Sequence, residues 1–318
     1  MAIRSSTNTL APVFQNTTLE AAIKEHGFYV YENLFSAEQV AQARTLFDAL
    51  CTVDGRRGFH NTLFEPEAAH RKAVFEGLKP LFDAVVLPLT ADYRTLITSF
   101  PVKEAQTAEA FGLHQDLTFL DESRYQTLGI WAPLVDTSVQ NGGLQVVPKS
   151  HRWLQTIRYA PYMSAPFEPW RKQLTAASLP LTLRAGDAVL YDLATLHYSP
   201  PNLTDERRVV MAGVFVPNTA ATHYYYRPAQ TPDQPLERYA TDEAFFWHFR
   251  LGERPAGKPE AEIEYQNFTL EPHHLAQFLG VPTEELEQPN HEVVHSKDIH
   301  QPGFWQRLKS RILQSIDR

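Results

Sequence analysis

The sequence predicts a mainly β fold with flanking α-helices, a sandwich or jelly roll, on two observations. Between about residues 93 and 217, short β-prone runs follow one another at close intervals, punctuated by Gly, Pro, Asn and Asp. Short strands separated by such turns bury one face each against a second sheet. Ahead of them, residues 19–87 carry helical periodicity with an apolar stripe that needs a sheet to pack on.

Taken in order, Leu19 to His26 favours helix, Gly27 stops it, and Phe28–Tyr31 is β-prone. Ser36 offers an N-cap for Ala37 to Leu50, where Val40, Ala43, Leu46, Phe47 and Leu50 recur at helical spacing. Residues 54–62 read as a loop, and 65–82 as a further helix ending near Leu87-Pro88-Leu89. His26, His60 and His70 read as surface histidines. Tyr93–Phe100 is a strand closed by Pro101. More strands are expected near 113–119, 126–135, 143–147, 181–183, 187–193 and 207–216. A Trp-, Tyr- and Pro-rich insertion at 152–180 interrupts them, and its length suits either a lid over a pocket or aromatics packed on an outer sheet face.

In the extension from 218 to 318, Tyr224-Tyr225-Tyr226 and Phe245-Phe246-Trp247 read as packing clusters. His291-Glu292-Val293-Val294-His295 has the spacing of a zinc-protease motif, but Pro289 and the β-branched pair oppose the long helix that motif requires. It is not read as a metal site. Phe304, Leu308, Ile312 and Ile316 recur every four residues among Arg307, Lys309 and Arg311. They predict an amphipathic helix that docks on the barrel, makes a homodimer contact or meets an anionic membrane surface. The expected organisation is one domain over 1–318: N-terminal helices 19–87, a core from about 93 to 217, the insertion, and the extension.

With 43% hydrophobic and 12% aromatic residues in 318, the chain can bury a sizeable core. A formal charge of −8 argues against a nucleic-acid partner, since phosphate binding needs a basic surface. No apolar run reaches the roughly 18 residues a transmembrane helix needs. The start lacks a secretory signal and Cys51 has no second cysteine to pair with, so a soluble, cytoplasmic protein is expected.

The chemistry centres on Gly112-Leu-His-Gln-Asp-Leu-Thr-Phe119. In an extended strand His114 and Asp116 project to one face while Gln115 points away, so an imidazole and a carboxylate reach one metal ion. About eighty residues on, Ala185 to His197 reads as a turn and an apolar strand ending in a second imidazole. Two His and one carboxylate leave half an octahedron open, the ligand set of non-haem Fe(II) oxygenases. Eleven residues further, Arg208 opens the run Val209–Val216. That run is apolar on both faces, so hydrophobicity does not say which parity points inward.

Here the sequence resembles the phytanoyl-CoA dioxygenase family of Fe(II)/2-oxoglutarate oxygenases. Leu128-Gly-Ile-Trp131-Ala-Pro-Leu-Val-Asp136, Asn141-Gly-Gly-Leu-Gln-Val-Val-Pro148 and Ser150-His151 follow the family's segments in order, and the likeness covers roughly 19–217. It departs at Lys149, where the family has glycine, and at Tyr198, a bulky side chain where the family keeps glycine beside the distal histidine. The resemblance implies a double-stranded β-helix with Fe(II) on His114, Asp116 and His197. It implies 2-oxoglutarate as cosubstrate near Arg208, Trp131 and Lys103, with dioxygen as oxidant. Spacing after the distal histidine favours Arg208 over Arg207 as the cosubstrate anchor. The implied reaction decarboxylates 2-oxoglutarate to succinate and oxidises a small-molecule substrate. Halogenating relatives replace the carboxylate ligand with a small residue, so Asp116 favours hydroxylation. A non-catalytic or cupin-like jelly roll binding a metal and a small ligand is the rival reading.

Overall fold

A computed structural model describes residues 10–51, 55–154, 156–161, 166–228, 234–266 and 270–286. Helix α1 (Thr17–His26) opens at Asn16, whose side-chain oxygen accepts from the Thr18 and Leu19 N–H groups, and closes on left-handed Gly27. Strand β1 (Phe28–Tyr31) leads into α2 (Ala37–Cys51). That helix starts on a reciprocal cap: Ser36 Oγ accepts from Gln39 N at 3.2 Å, and Gln39 Oε1 accepts from Ser36 N at 2.9 Å. After β2 (Phe59–Asn61), α3 runs Ala68–Val85, beginning later than expected because Asn61 caps a separate 3-10 turn at Thr62–Phe64.

The strands that follow are β3 (Tyr93–Ser99), β4 (Pro101–Lys103), β5 (Phe111–His114), β6 (Leu128–Pro133) and β7 (Gln145–Val146). Helix α4 (Arg171–Ala177) precedes β8 (Leu179–Pro180), β9 (Ala188–Asp192), β10 (His197–Ser199) and β11 (Arg208–Pro217). Two antiparallel sheets result, facing one another as a jelly roll, the double-stranded β-helix. The large sheet runs β1-β9-β6-β11-β4-β2, with β3 also paired to β11; the small one runs β5-β10-β7-β8. Strands of the small sheet are shorter than expected. Beyond His114 the backbone turns to loops, with Asp116 N–H donating to Leu193 O and Thr118 N–H to Arg158 O. The strand expected at 181–183 is replaced by β8, leaving Leu183 an isolated bridge to Thr137.

Alternation sorts the large sheet's two apolar faces. Ile130, Leu190, Met211 and Phe215 meet Phe47, Leu78 and Phe82 of the helices, while Trp131, Val189, Tyr191 and Val210 turn inward. His60 is no surface histidine: its side chain is 13% exposed, with Nε2 3.5 Å from Glu104. His26 and His70 are half-buried.

The extension adds β12 (Thr222–Tyr226), β13 (Leu236–Thr241), α5 (Phe245–His248), β14 (Ala261–Ile263) and α6 (Pro272–Leu279); its strands form a third sheet, β12-β13-β14. Its aromatics pack, Phe246 meeting Phe119 edge-on at 5.2 Å. In the 152–180 insertion, Phe167, Trp170 and Leu174 share a core with Leu113 and Leu196 of the small-sheet side and Leu275 and Leu279 of α6. This part takes the outer-layer arrangement. The motif at 291–295 and the helix expected at 304–316 lie outside the described residues. Among the described residues no helix is long and apolar enough to cross a membrane.

Candidate metal centre and cleft

Strand β5 ends and β10 begins on a histidine, and the ladder pairs His114 directly with His197. Cross-strand neighbours lie side by side, here with ring centroids 4.2 Å apart. Asp116 joins them from the loop after β5, so that one ligand atom from each of the three residues lies within 4.8 Å of the others. Asp116 Oδ1 is 3.6 Å from His114 Nε2 and 3.9 Å from His197 Nε2. Gln115 points away, its amide donating to Leu154 O at 2.8 Å.

Each imidazole is set by its own backbone. His114 Nδ1 donates to Gly112 O at 2.7 Å and His197 Nδ1 to Thr195 O at 2.9 Å. A carbonyl only accepts, so the proton sits on Nδ1 and Nε2 offers its lone pair toward Asp116. Burial, with neighbouring His114 adding to it, pulls His197 down to about 4 against the opposing charge of Asp116. Burial alone would raise Asp116, but the nearness of His197 and His114 and the hydrogen bond from Tyr191 outweigh it and hold the carboxyl well below the usual range. Neutral imidazoles and an ionised carboxylate are the forms that bind a metal. His114 Nε2, buried without a hydrogen-bond partner, is the orphan donor set such an ion would satisfy.

Tyr191 was not singled out from the sequence. It points inward from β9 and its hydroxyl donates to Asp116 Oδ2 at 2.8 Å, leaving Oδ1 toward the histidines. Gly129 lies opposite it in the ladder, and a Cβ there would meet the Tyr191 ring at 2.5 Å. Space for that ring, rather than backbone conformation, requires this glycine. A lone Gly inside the apolar strand was the available hint of a close approach.

The histidines and Asp116 line a cleft that Trp131 and Arg208 also line. Arg208 is 1% exposed, its carbon Cζ is 5.6 Å from the Trp131 ring, and Nη1 donates to Pro101 O at 3.3 Å. Its Nε has no partner, and burial pulls the guanidinium down to about 9. Arg207 faces the other way, with Nε on Glu104 at 2.7 Å and the guanidinium over Phe47. The parity is the expected one.

Lys103 pairs with Arg208 across β4 and β11 but does not line the cleft. It is fully buried, with Nζ donating to the carbonyls of Ser199, at 2.7 Å, and Pro200. Burial and the charge of Arg208, partly offset by Glu109, draw the amine down to about 7. Gly142 closes over it at φ +78°, where a Cβ would meet Pro200 O at 2.7 Å, which explains one glycine of the Asn141-Gly-Gly segment. Tyr198 lines the cleft next to His197, and its ring also packs on the core of Leu113 and Trp170. Lys149 adopts the left-handed conformation, φ 67°, that a glycine would enter freely, and its amine pairs with Glu25 at 3.0 Å.

Comparison with known proteins gives three kinds of likeness. The family model of the phytanoyl-CoA dioxygenases (PhyH) matches residues 23–210. A phytanoyl-CoA dioxygenase domain-containing protein 1 homolog of Dictyostelium discoideum is 30% identical over 106 residues, 30% of this chain and 37% of that protein. The match thus spans little more than a third of the relative's length. Among solved structures, the epimerase SnoN in complex with Fe3+, alpha ketoglutarate and nogalamycin RO is 22% identical, covering 67% of this chain and 86% of its own, with a TM-score of 0.47. HygX from Streptomyces hygroscopicus with nickel and 2-oxoglutarate bound is 19% identical, covering 64% and 88%, also with a TM-score of 0.47.

Proposed function

The chain belongs to the phytanoyl-CoA dioxygenase family, and from that premise we propose that it is a non-haem Fe(II)/2-oxoglutarate-dependent oxygenase. In this reading it hydroxylates an unactivated C–H bond of a small organic substrate. The observation that carries the reading is the convergence of two Nε2 lone pairs and one carboxylate in a cleft that also holds a buried guanidinium lacking a carboxylate partner. Bound iron would supply dioxygen activation coupled to decarboxylation of 2-oxoglutarate.

The chain's own groups do the rest. His114, Asp116 and His197 would hold the metal. Tyr191 fixes the orientation of Asp116. Arg208 offers its planar fork to the distal carboxylate of 2-oxoglutarate, with Trp131 lying against the guanidinium. Lys103 acts one step back, tying down the turn after His197 through two carbonyls. The apolar walls limit water around the reacting groups.

Protein supplied with Fe(II), 2-oxoglutarate and candidate acyl thioesters, amino acids or natural-product scaffolds should release succinate with a matching amount of hydroxylated product. Asp116→Ala, which removes the sole carboxylate of the triad, should release neither and lose metal binding in dialysis. Succinate matched by a product without added oxygen would overturn hydroxylation. A variant that bound iron and hydroxylated like the parent would overturn the triad.

A further inference from the structure

We infer that the part of the substrate received by this cleft is uncharged and apolar, a hydrocarbon or aromatic group on a neutral molecule. The inference rests on the oxygenase reading of the same site and concerns which chemistry enters it. Beyond the three candidate ligands and Arg208, no charged side chain among the described residues lines the cleft. Its walls come from Ile97, Leu117, Phe119, Leu144 and Val214, with Asn61, Ser99, Ser199 and the tyrosines Tyr191 and Tyr198 as uncharged polar exceptions. With Arg208 engaged by the cosubstrate, an ammonium or carboxylate brought in by a substrate would lose its hydration and gain no counter-charge. A free amino acid would need two such partners.

The mouth carries the same signature. Among the described residues four large hydrophobic side chains are exposed, and two of them, Phe64 at 44% and Phe111 at 36%, line this cleft. Phe59 stacks on Phe111 with ring centroids 4.6 Å apart. Aromatic surface held in water at a pocket rim suits an apolar ligand.

A coenzyme A thioester would need cations at the mouth for its phosphates. Among the described residues, Arg56 is paired by Glu65 at 2.6 Å, Arg171 by Glu168 at 2.6 Å, Arg158 by Glu122 at 2.6 Å and Arg254 by Glu237 at 2.8 Å, and none of the four lines the cleft. Arg57 is exposed and does not line the cleft. One solvated guanidinium is a poor match for several phosphate charges, and the chain's formal charge of −8 adds repulsion.

The test uses the full chain loaded with Ni(II) and 2-oxoglutarate, so that Arg208 is engaged without turnover, and the neutral fluorophore N-phenyl-1-naphthylamine. The dye should bind, and methyl decanoate should displace it, while decanoyl-CoA and leucine at the same concentrations should not. Replacing the exposed rim residues, Phe64→Ser with Phe111→Ser, should weaken dye binding by about tenfold, the loss expected for one buried aromatic contact. No dye binding, dye binding indifferent to the rim change, or stronger displacement by the thioester than by the methyl ester would each overturn the inference. Because the readout needs no turnover, absence of succinate would sink the oxygenase reading alone. Turnover with preference for the thioester would sink this inference alone.

Discussion

Asp116 has one oxygen committed to Tyr191 and the other within 4 Å of both imidazoles, so the orientation of the carboxylate depends on a hydroxyl that itself touches no metal. Tyr191→Phe keeps the ring in its place beside Gly129 and deletes only that bond. Metal affinity should fall by about 10- to 100-fold, the usual cost of losing a partner behind a metal ligand. Titration with Co(II), followed by its visible spectrum, would measure this; unchanged affinity would assign Tyr191 to packing alone. Lys103 makes a separate prediction. Its folded amine titrates near 7 against an ordinary 10.5, so between those values the unfolded chain binds the extra proton and stability rises with pH. Below about 7 the penalty of the buried ammonium is present in full. Thermal melts across that window should show the rise in the parent and a flatter profile in Lys103→Met. A parallel rise in both would remove Lys103 as its source.

At the scale of the element, β11 decides which arginine enters the cleft. Adjacent residues on a strand take opposite faces, and the ladder with β4 and β6 places Arg208 inside and Arg207 on Glu104. Removing a buried guanidinium leaves a carboxylate unpaired. Arg208→Ala should therefore raise the apparent 2-oxoglutarate requirement by on the order of a hundredfold or more. Arg207 sits in a half-exposed pair worth about 1 kcal/mol or less, so Arg207→Ala should hardly move it. The reverse order in a cosubstrate titration would assign the anchor to the other face.

Across the whole molecule, segments distant in sequence support the small sheet that carries both histidines. Trp170 Nε1 donates to Leu270 O at 2.7 Å, and Leu275 is wholly buried against the outer-layer core. Leu275→Ala should destabilise the protein by about 2–4 kcal/mol through lost burial and a residual cavity. Urea unfolding would measure it, and a loss under about 0.5 kcal/mol, typical of surface positions, would mean that α6 is only loosely docked. On the other side, Arg71 of α3 donates to Trp247 O and His248 O, fastening the extension to the helical layer.

By itself the sequence determined what is local or periodic: the caps at Ser36 and Gly27, the order of the short strands, and the His-x-Asp, histidine and arginine positions of the triad and its neighbouring cation. Those follow from side-chain type and spacing along the chain. Tertiary structure alone decided what depends on facing surfaces. The Tyr191 bond to Asp116 came from a ring that faces a glycine in the next strand. Lys103, which the resemblance put near the cosubstrate, is buried because two backbone carbonyls of a turn almost a hundred residues away accept its amine. Hydrogen-bond partners so remote leave no trace in spacing, since only folding brings the donor and its acceptors together.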